Sequence, residues 1–157
     1  MTLLKRLLIL REAREKRDAQ SLRRASDAHV QAGHALDTAQ RTLEQGLLDT
    51  RRQGDALFNG MQGGLWTLAA VQGMHGKLKS LAQDADTLRA GVVDAQAQCQ
   101  QSQSLLEASQ AVLRRSQNQV GKTKEMHTLH EREALARREH KEELEMEEIG
   151  ATRRPAS

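Results

Sequence analysis

Aromatic side chains are almost missing from this chain: there is one Phe, one Trp and no Tyr in 157 residues. A globular core of that size normally draws on several aromatics, because each buries so much area. Their scarcity therefore argues against a compact globule. Proline is as rare, with Pro155 alone near the end, so nothing upstream breaks a helix outright. Cys99 is the only cysteine, which excludes an intrachain disulfide and fits a reducing compartment. No apolar run approaches the roughly 20 residues of a membrane span. The run from Leu3 to Leu10 is interrupted by Lys5 and Arg6 and has no small-residue cleavage site after it, unlike a signal peptide. Glu12, Glu15 and Asp18 argue against a mitochondrial presequence.

What is present is Leu, Ala, Val, Gln and charge, with 29% of residues charged. The apolar residues keep a helical period, which separates the chain from disordered sequences and points to long helices or a coiled coil. The net charge of +3 is too small to imply a nucleic-acid partner. Its distribution is more telling. Residues 1–26 carry eight basic and three acidic groups, and residues 131–148 carry eight Glu and four basic groups, so the two ends have opposite sign.

Four glycines, at 54, 60, 63 and 64, interrupt the helical pattern between Gly54 and Thr67. Each costs about 1 kcal/mol against Ala inside a helix. The expected architecture is all-α: two long helices in an antiparallel coiled-coil hairpin. Helix one should span about 3–53, the turn region about 54–67 and helix two about 68–149, forming one domain over 1–150 with a flexible tail at 151–157. Thr67 is a suitable N-cap for helix two.

Within helix one, Leu8, Leu22, Leu36 and Leu43 share one position of a seven-residue repeat, with Glu15 and His29 between them. Ala25, Ala32 and Ala39 occupy the companion position. Leu beside Ala makes a narrow seam suited to close packing. Arg11, Glu15 and Asp18 interrupt it near the start. In helix two the seam reads Val71, Leu78, Ala85, Val92, Cys99, Leu106, Leu113 and Val120. Its companion set runs Met74, Leu81, Leu88, Ala95, then Ser102, Ser109, Ser116 and Thr123, so contact in the polar half should be weak. Cys99 reads as a small seam filler. A turn near residue 63 sets Leu4 and Leu8 opposite about Val120, where the apolar stripe fades, and leaves residues beyond about 125 as a lone charged helix. A turn at Gly73–Gly76 would instead pair the basic start with the acidic end. Exposed ion pairs contribute only about 0–1 kcal/mol each, so the first turn is preferred. Glu133 with Arg137 and Lys141 with Glu145 have the spacing of helix-surface pairs.

Reactive constellations are scarce. There is no phosphate loop, cysteine pair or nucleophile elbow. His127 and His130, near Glu131 and Glu133, could face a metal together, but solvated histidines on a polar helix are the stronger reading. No catalytic residue, cofactor or metal is expected. The basic start could touch phosphate or anionic lipid, though it has no aromatic for base stacking. The cluster Leu3, Leu4, Leu7, Leu8, Ile9 and Leu10 exceeds what one seam needs and suits a protein partner. Phe58 and Trp66 read as a plug for the hairpin tip, or as a tip that docks into another protein.

The opening Leu-Leu-Lys-Arg-Leu-Leu-Ile-Leu-Arg-Glu-Ala-Arg-Glu-Lys-Arg resembles the start of the FliJ/YscO family, the coiled-coil stalk proteins of flagellar and virulence-type (type III) secretion. The stretch Ala-Leu-Phe-Asn-Gly-Met-Gln-Gly-Gly-Leu-Trp-Thr is similar to the turn region of the secretion branch. The ending Glu-Glu-Leu-Glu-Met-Glu-Glu-Ile resembles that branch's acidic tail. The resemblance covers most of the length, with glycines 60, 63, 64, 73 and 76 departing from the pattern. It implies a fold like the central shaft of a rotary ATPase and a non-enzymatic role. The shaft would enter the hexameric secretion ATPase and couple it to the cytoplasmic ring of the export gate, with secretion chaperones as further partners. It also implies a chain that is monomeric when isolated, cytoplasmic and peripheral at the inner-membrane apparatus, with no nucleic acid partner and no direct membrane insertion. Candidate partner surfaces are Leu4, Leu7, Leu8, Arg11 and Arg14, the tip residues Phe58 and Trp66, and Glu142, Glu143, Glu145, Glu147 and Glu148. A generic coiled-coil scaffold or stator is the alternative, and a basic helical protein for nucleic acid or membrane surfaces is a third reading.

Overall fold

The computed structural model describes residues 2–153. They form two helices, α1 (Leu3–Met61) and α2 (Leu68–Arg153), and no strand is present among the described residues. The helices pack against each other in two units. One combines the chain up to Ser21 with the chain from Gln110 onward, and the other is Leu22–Ser109.

Thr2 opens α1 as an N-cap. Its hydroxyl accepts from the Lys5 amide at 3.3 Å, and its carbonyl accepts from the Arg6 amide at 3.1 Å. Thr67 caps α2 in the same way, accepting from the Ala70 amide at 3.1 Å, as its residue type predicts. Between them, Gly63 takes a φ of 93°, a left-handed conformation that reverses the chain without a Cβ penalty.

The break is shorter than the glycine count predicts. α1 continues through Gly54 and Gly60 to Met61, eight residues beyond the expected end. Gly54, Leu57 and Met61 are half-covered and lie on the seam, so packing against α2 outweighs the propensity cost. Ala151–Arg153 likewise continue α2 where a loose tail is expected, and residues 154–157 lie outside the described residues.

In the Leu22–Ser109 unit the seam follows the sequence repeat. Leu22, Ala25, His29, Ala32, Leu36, Ala39 and Leu43 are half-covered on α1, as are Leu78, Leu81, Leu88, Val92, Ala95 and Cys99 on α2. Val71 is the exception: it is exposed, and Ala70 takes its place. The alanine stripe continues to Gly46, where an added Cβ would overlap Leu88 Cδ1. Glycine is needed there because the facing leucine fills the methyl's place. His29 Nδ1 lies 2.9 Å from Ser102 Oγ. The Ser102 hydroxyl donates to the Cys99 carbonyl at 2.8 Å, so the imidazole nitrogen supplies the proton of the His29 bond.

In the other unit the polar half of the seam is not weak. Of the residues buried in the described chain, Ser116, Val120 and Thr123 belong here, and only Ala85 lies elsewhere. Arg11 donates to Thr123 Oγ1 at 2.6 Å and to the Gln119 carbonyl at 3.3 Å. Thr123 donates onward to the same carbonyl at 2.8 Å. Ser116 donates to the Asp18 carboxylate. Arg11 and Asp18 are thus matched to the polar positions of α2. The breaks in the two apolar patterns face each other, and no buried side-chain nitrogen or oxygen is left unpartnered among the described residues.

These pairs also fix the register. Arg11/Thr123 and Asp18/Ser116 share a midpoint close to residue 67, within the link between Met61 and Leu68. A turn at 63 would have set Arg11 against Arg115 and Asp18 against Ala108, a like-charge contact and an unpaired carboxylate. A turn at Gly73–Gly76 is excluded, since both glycines lie inside α2.

Candidate partner-binding surfaces

Three surfaces follow from this packing, and each is described within its own unit. The first is the start of α1. Its leucines are apolar around most of the helix, and the seam can cover only one side. Leu4, Leu7 and Leu8 turn inward and are half-covered. Leu3, Ile9 and Leu10 remain 84%, 51% and 50% exposed, so these carry the uncovered apolar surface. Arg11 is held on the seam by Thr123 and Gln119, whereas Arg14 is exposed. A small cleft beside them is lined by Glu12, Glu15, Lys16, Ala19 and Lys124.

The second surface is the end of α2. Beyond His127 every described residue except Ala134 is exposed, and in this register α1 reaches only to about residue 131. Glu142, Glu143, Glu145, Glu147 and Glu148 all lie on this uncovered helix, interleaved with exposed Leu144, Met146 and Ile149. Glu133 and Arg137 approach to 3.6 Å, and Glu131 lies 3.5 Å from His127 Nδ1. Lys141 and Glu145 form no ion pair. Among the described residues, no group of three or more His, Cys, Asp or Glu is placed to hold a metal ion.

The third surface is the link and the helix turns beside it. Trp66 folds back so that its indole nitrogen donates to the Met61 carbonyl at 3.0 Å, satisfying one of the acceptors left open at the end of α1. Phe58 stays 59% exposed and does not fill the tip. Leu65 and Leu68, which periodicity does not single out, protrude further than either aromatic. An open groove of about 350 Å³ beside Trp66 is lined by Leu57, Ala70, Gly73, Met74 and Lys77. A larger one of about 500 Å³ lies between Ala56, Leu57, Lys77 and Leu81.

Periodicity does not single out Gln119 and Gly46, and it places Ser116 and Thr123 on the seam only as a weak polar stretch, where the structure buries both. The signal was available: Arg11 and Asp18 are seven apart on α1, as Ser116 and Thr123 are on α2. Matching those two spacings would have set the register without reference to the glycines. No described helix is long and apolar enough to cross a membrane.

No curated protein matches the sequence. Among solved structures, the fold is similar to the 2.8 Å crystal structure of type III secretion protein YscO from Vibrio parahaemolyticus. The TM-score is 0.88, over 93% of this chain and 92% of that one, at 18% identity. The family model for type III secretion protein YscO matches residues 4–152, nearly the whole length, and the chain therefore belongs to the YscO family of type III secretion proteins.

Proposed function

We propose that this chain is the non-enzymatic central stalk of a type III secretion export apparatus. It enters the hexameric secretion ATPase and couples it to the cytoplasmic ring of the export gate, and secretion chaperones are further partners. It works in the cytoplasm, peripheral at the inner-membrane apparatus. Membership of the YscO family over residues 4–152 is the observation that carries the reading. The antiparallel packing of α1 and α2 supports it, because a shaft needs two helices that brace one another along a seam. The polar matches of Arg11 with Thr123 and of Asp18 with Ser116 oppose slippage of one helix past the other under load. In this reading the exposed start of α1 and the uncovered acidic end of α2 are surfaces for partners.

The test is steady-state ATP hydrolysis by a secretion ATPase from the same type III system, with and without this chain. The variant should carry Leu3→Asp, Leu10→Asp and Arg14→Glu, which alter exposed side chains and leave the seam intact. Stimulation by a monomeric chain, lost in the variant, is expected. Stable self-association with no effect on the ATPase would refute the stalk and favour a scaffold. Stimulation retained by the variant would move the contact away from the start of α1.

A further inference from the structure

Between Asp55 and Lys77 lie 21 residues without one Asp, Glu, Lys or Arg, in a chain that is 29% charged. That stretch contains the last turns of α1, the link and the first turns of α2. Four of its large apolar side chains are exposed, Leu65 by 107%, Leu68 by 74%, Phe58 by 59% and Trp66 by 41%, while Leu57, Met61 and Met74 are half-covered. On either side stand exposed Arg51 and Arg52, and Lys77 and Lys79. We propose that this tip docks onto an anionic lipid surface, with Phe58, Leu65, Trp66 and Leu68 entering the interfacial layer and the four cations meeting the headgroups.

Several features select lipid over a protein pocket. A charge-free tip has few groups with which to specify a pose on a protein, whereas a lipid interface requires none. The chain's single Trp and its Phe are both here, and aromatic rings favour the boundary between headgroups and acyl chains. At 1.5 Å per residue, the cations lie roughly 15 Å from the helix ends that flank the link. An interfacial segment buries its apolar side chains about 5–10 Å deep. Long Lys and Arg side chains then reach down to the phosphates while the apolar residues sit below them. The non-helical link keeps the depth shallow, since its free backbone groups need water or headgroups and do not enter hydrocarbon. The tip thus docks without spanning. From Arg51 to Lys79 the charged residues are four cations and one carboxylate, Asp55, with Asp49 and Asp84 just outside.

Vesicle docking needs neither the ATPase nor the gate, and its failure leaves the stalk reading untouched. The experiment mixes the full chain with vesicles of phosphatidylcholine, with or without phosphatidylglycerol. It follows flotation together with the emission of Trp66, the only Trp reporter. The expected result is binding to the anionic vesicles, a blue shift, and quenching by brominated acyl chains. Leu65→Asp with Leu68→Asp should weaken binding at least about tenfold by removing interfacial area. Lys77→Gln and Lys79→Gln should each weaken it about fivefold, on anionic vesicles only. Far-ultraviolet circular dichroism checks that each variant stays helical. No flotation overturns the proposal and leaves the tip to a protein partner. Flotation that survives the two Asp substitutions, or that is lost instead in Arg6→Gln with Arg14→Gln while Trp66 emission stays unshifted, also overturns it.

Discussion

Replacing Thr123 by Val tests the claim that a polar match, and not apolar area, holds the start of α1 in place. Thr123 is fully buried, and its hydroxyl accepts from Arg11 at 2.6 Å. Valine keeps the branched shape and removes that acceptor, together with the hydroxyl's own donation to the Gln119 carbonyl. Arg11 would retain a longer bond of 3.3 Å to the Gln119 carbonyl. A hydrogen bond to a charged group contributes about 1.5–3 kcal/mol. Arg11 is half-exposed, so water replaces part of that, and the extra apolar methyl offsets a little more. The net loss should be about 1–2 kcal/mol. For a chain of this length that lowers the melting temperature by about 3–6 °C. Thermal melts followed at 222 nm measure it directly. A double-mutant cycle with Arg11→Met isolates the pair and should return a coupling of about 1 kcal/mol. Strict additivity of the two changes, or a valine variant as stable as wild type, would refute the idea that the polar positions are matched rather than tolerated.

Gly46→Ala should bring no stabilisation in the wild-type background, because the new methyl overlaps Leu88 Cδ1 and cancels the helix-propensity gain. With Leu88→Ala already present, the same change should stabilise by about 1 kcal/mol; a failure to change between the two backgrounds in urea titrations would show that the helices do not approach closely there. Thr67→Ala should cost about 1 kcal/mol through the lost cap, and Gly63→Ala about 1–2 kcal/mol through left-handed backbone, both read from melting curves. Arg137→Gln should change stability by less than about 0.5 kcal/mol in the same assay, since its pair with Glu133 is exposed.

The legibility of this chain varied along its length for physical reasons. From Leu78 to Leu113 the seven-residue repeat predicts the covered face of α2, because one stripe of apolar residues admits only one phase. At the start of α1 the leucines surround the helix, so periodicity has no phase to report. Only packing separates the inward Leu4, Leu7 and Leu8 from the outward Leu3, Ile9 and Leu10. The glycines misled in the other direction. Gly54 and Gly60 lower helix propensity, yet Leu57 and Met61 still have a partner helix, and tertiary contact decides. The polar halves were visible on each helix separately. Their match needed the register, which a local reading of either helix does not contain. The candidate surfaces followed the same division: the acidic end of α2 is exposed where charge alone predicts it, whereas the prominence of Leu65 and Leu68 depends on the backbone of the link.

The bare end of α2 has one further consequence. From Glu131 to Arg153, only Ala134 finds cover, so this segment behaves as a peptide helix joined to a folded body. With no partner helix opposite, such a segment has only propensity and its own hydrogen bonds to hold it, and it frays from the free end. Its amide protons should exchange orders of magnitude faster than those around Ser116 and Val120, and a protease should find it first. A partner that bound those glutamates would lengthen the ordered helix as it bound. The chain's protease resistance would then report whether the protein is engaged or waiting.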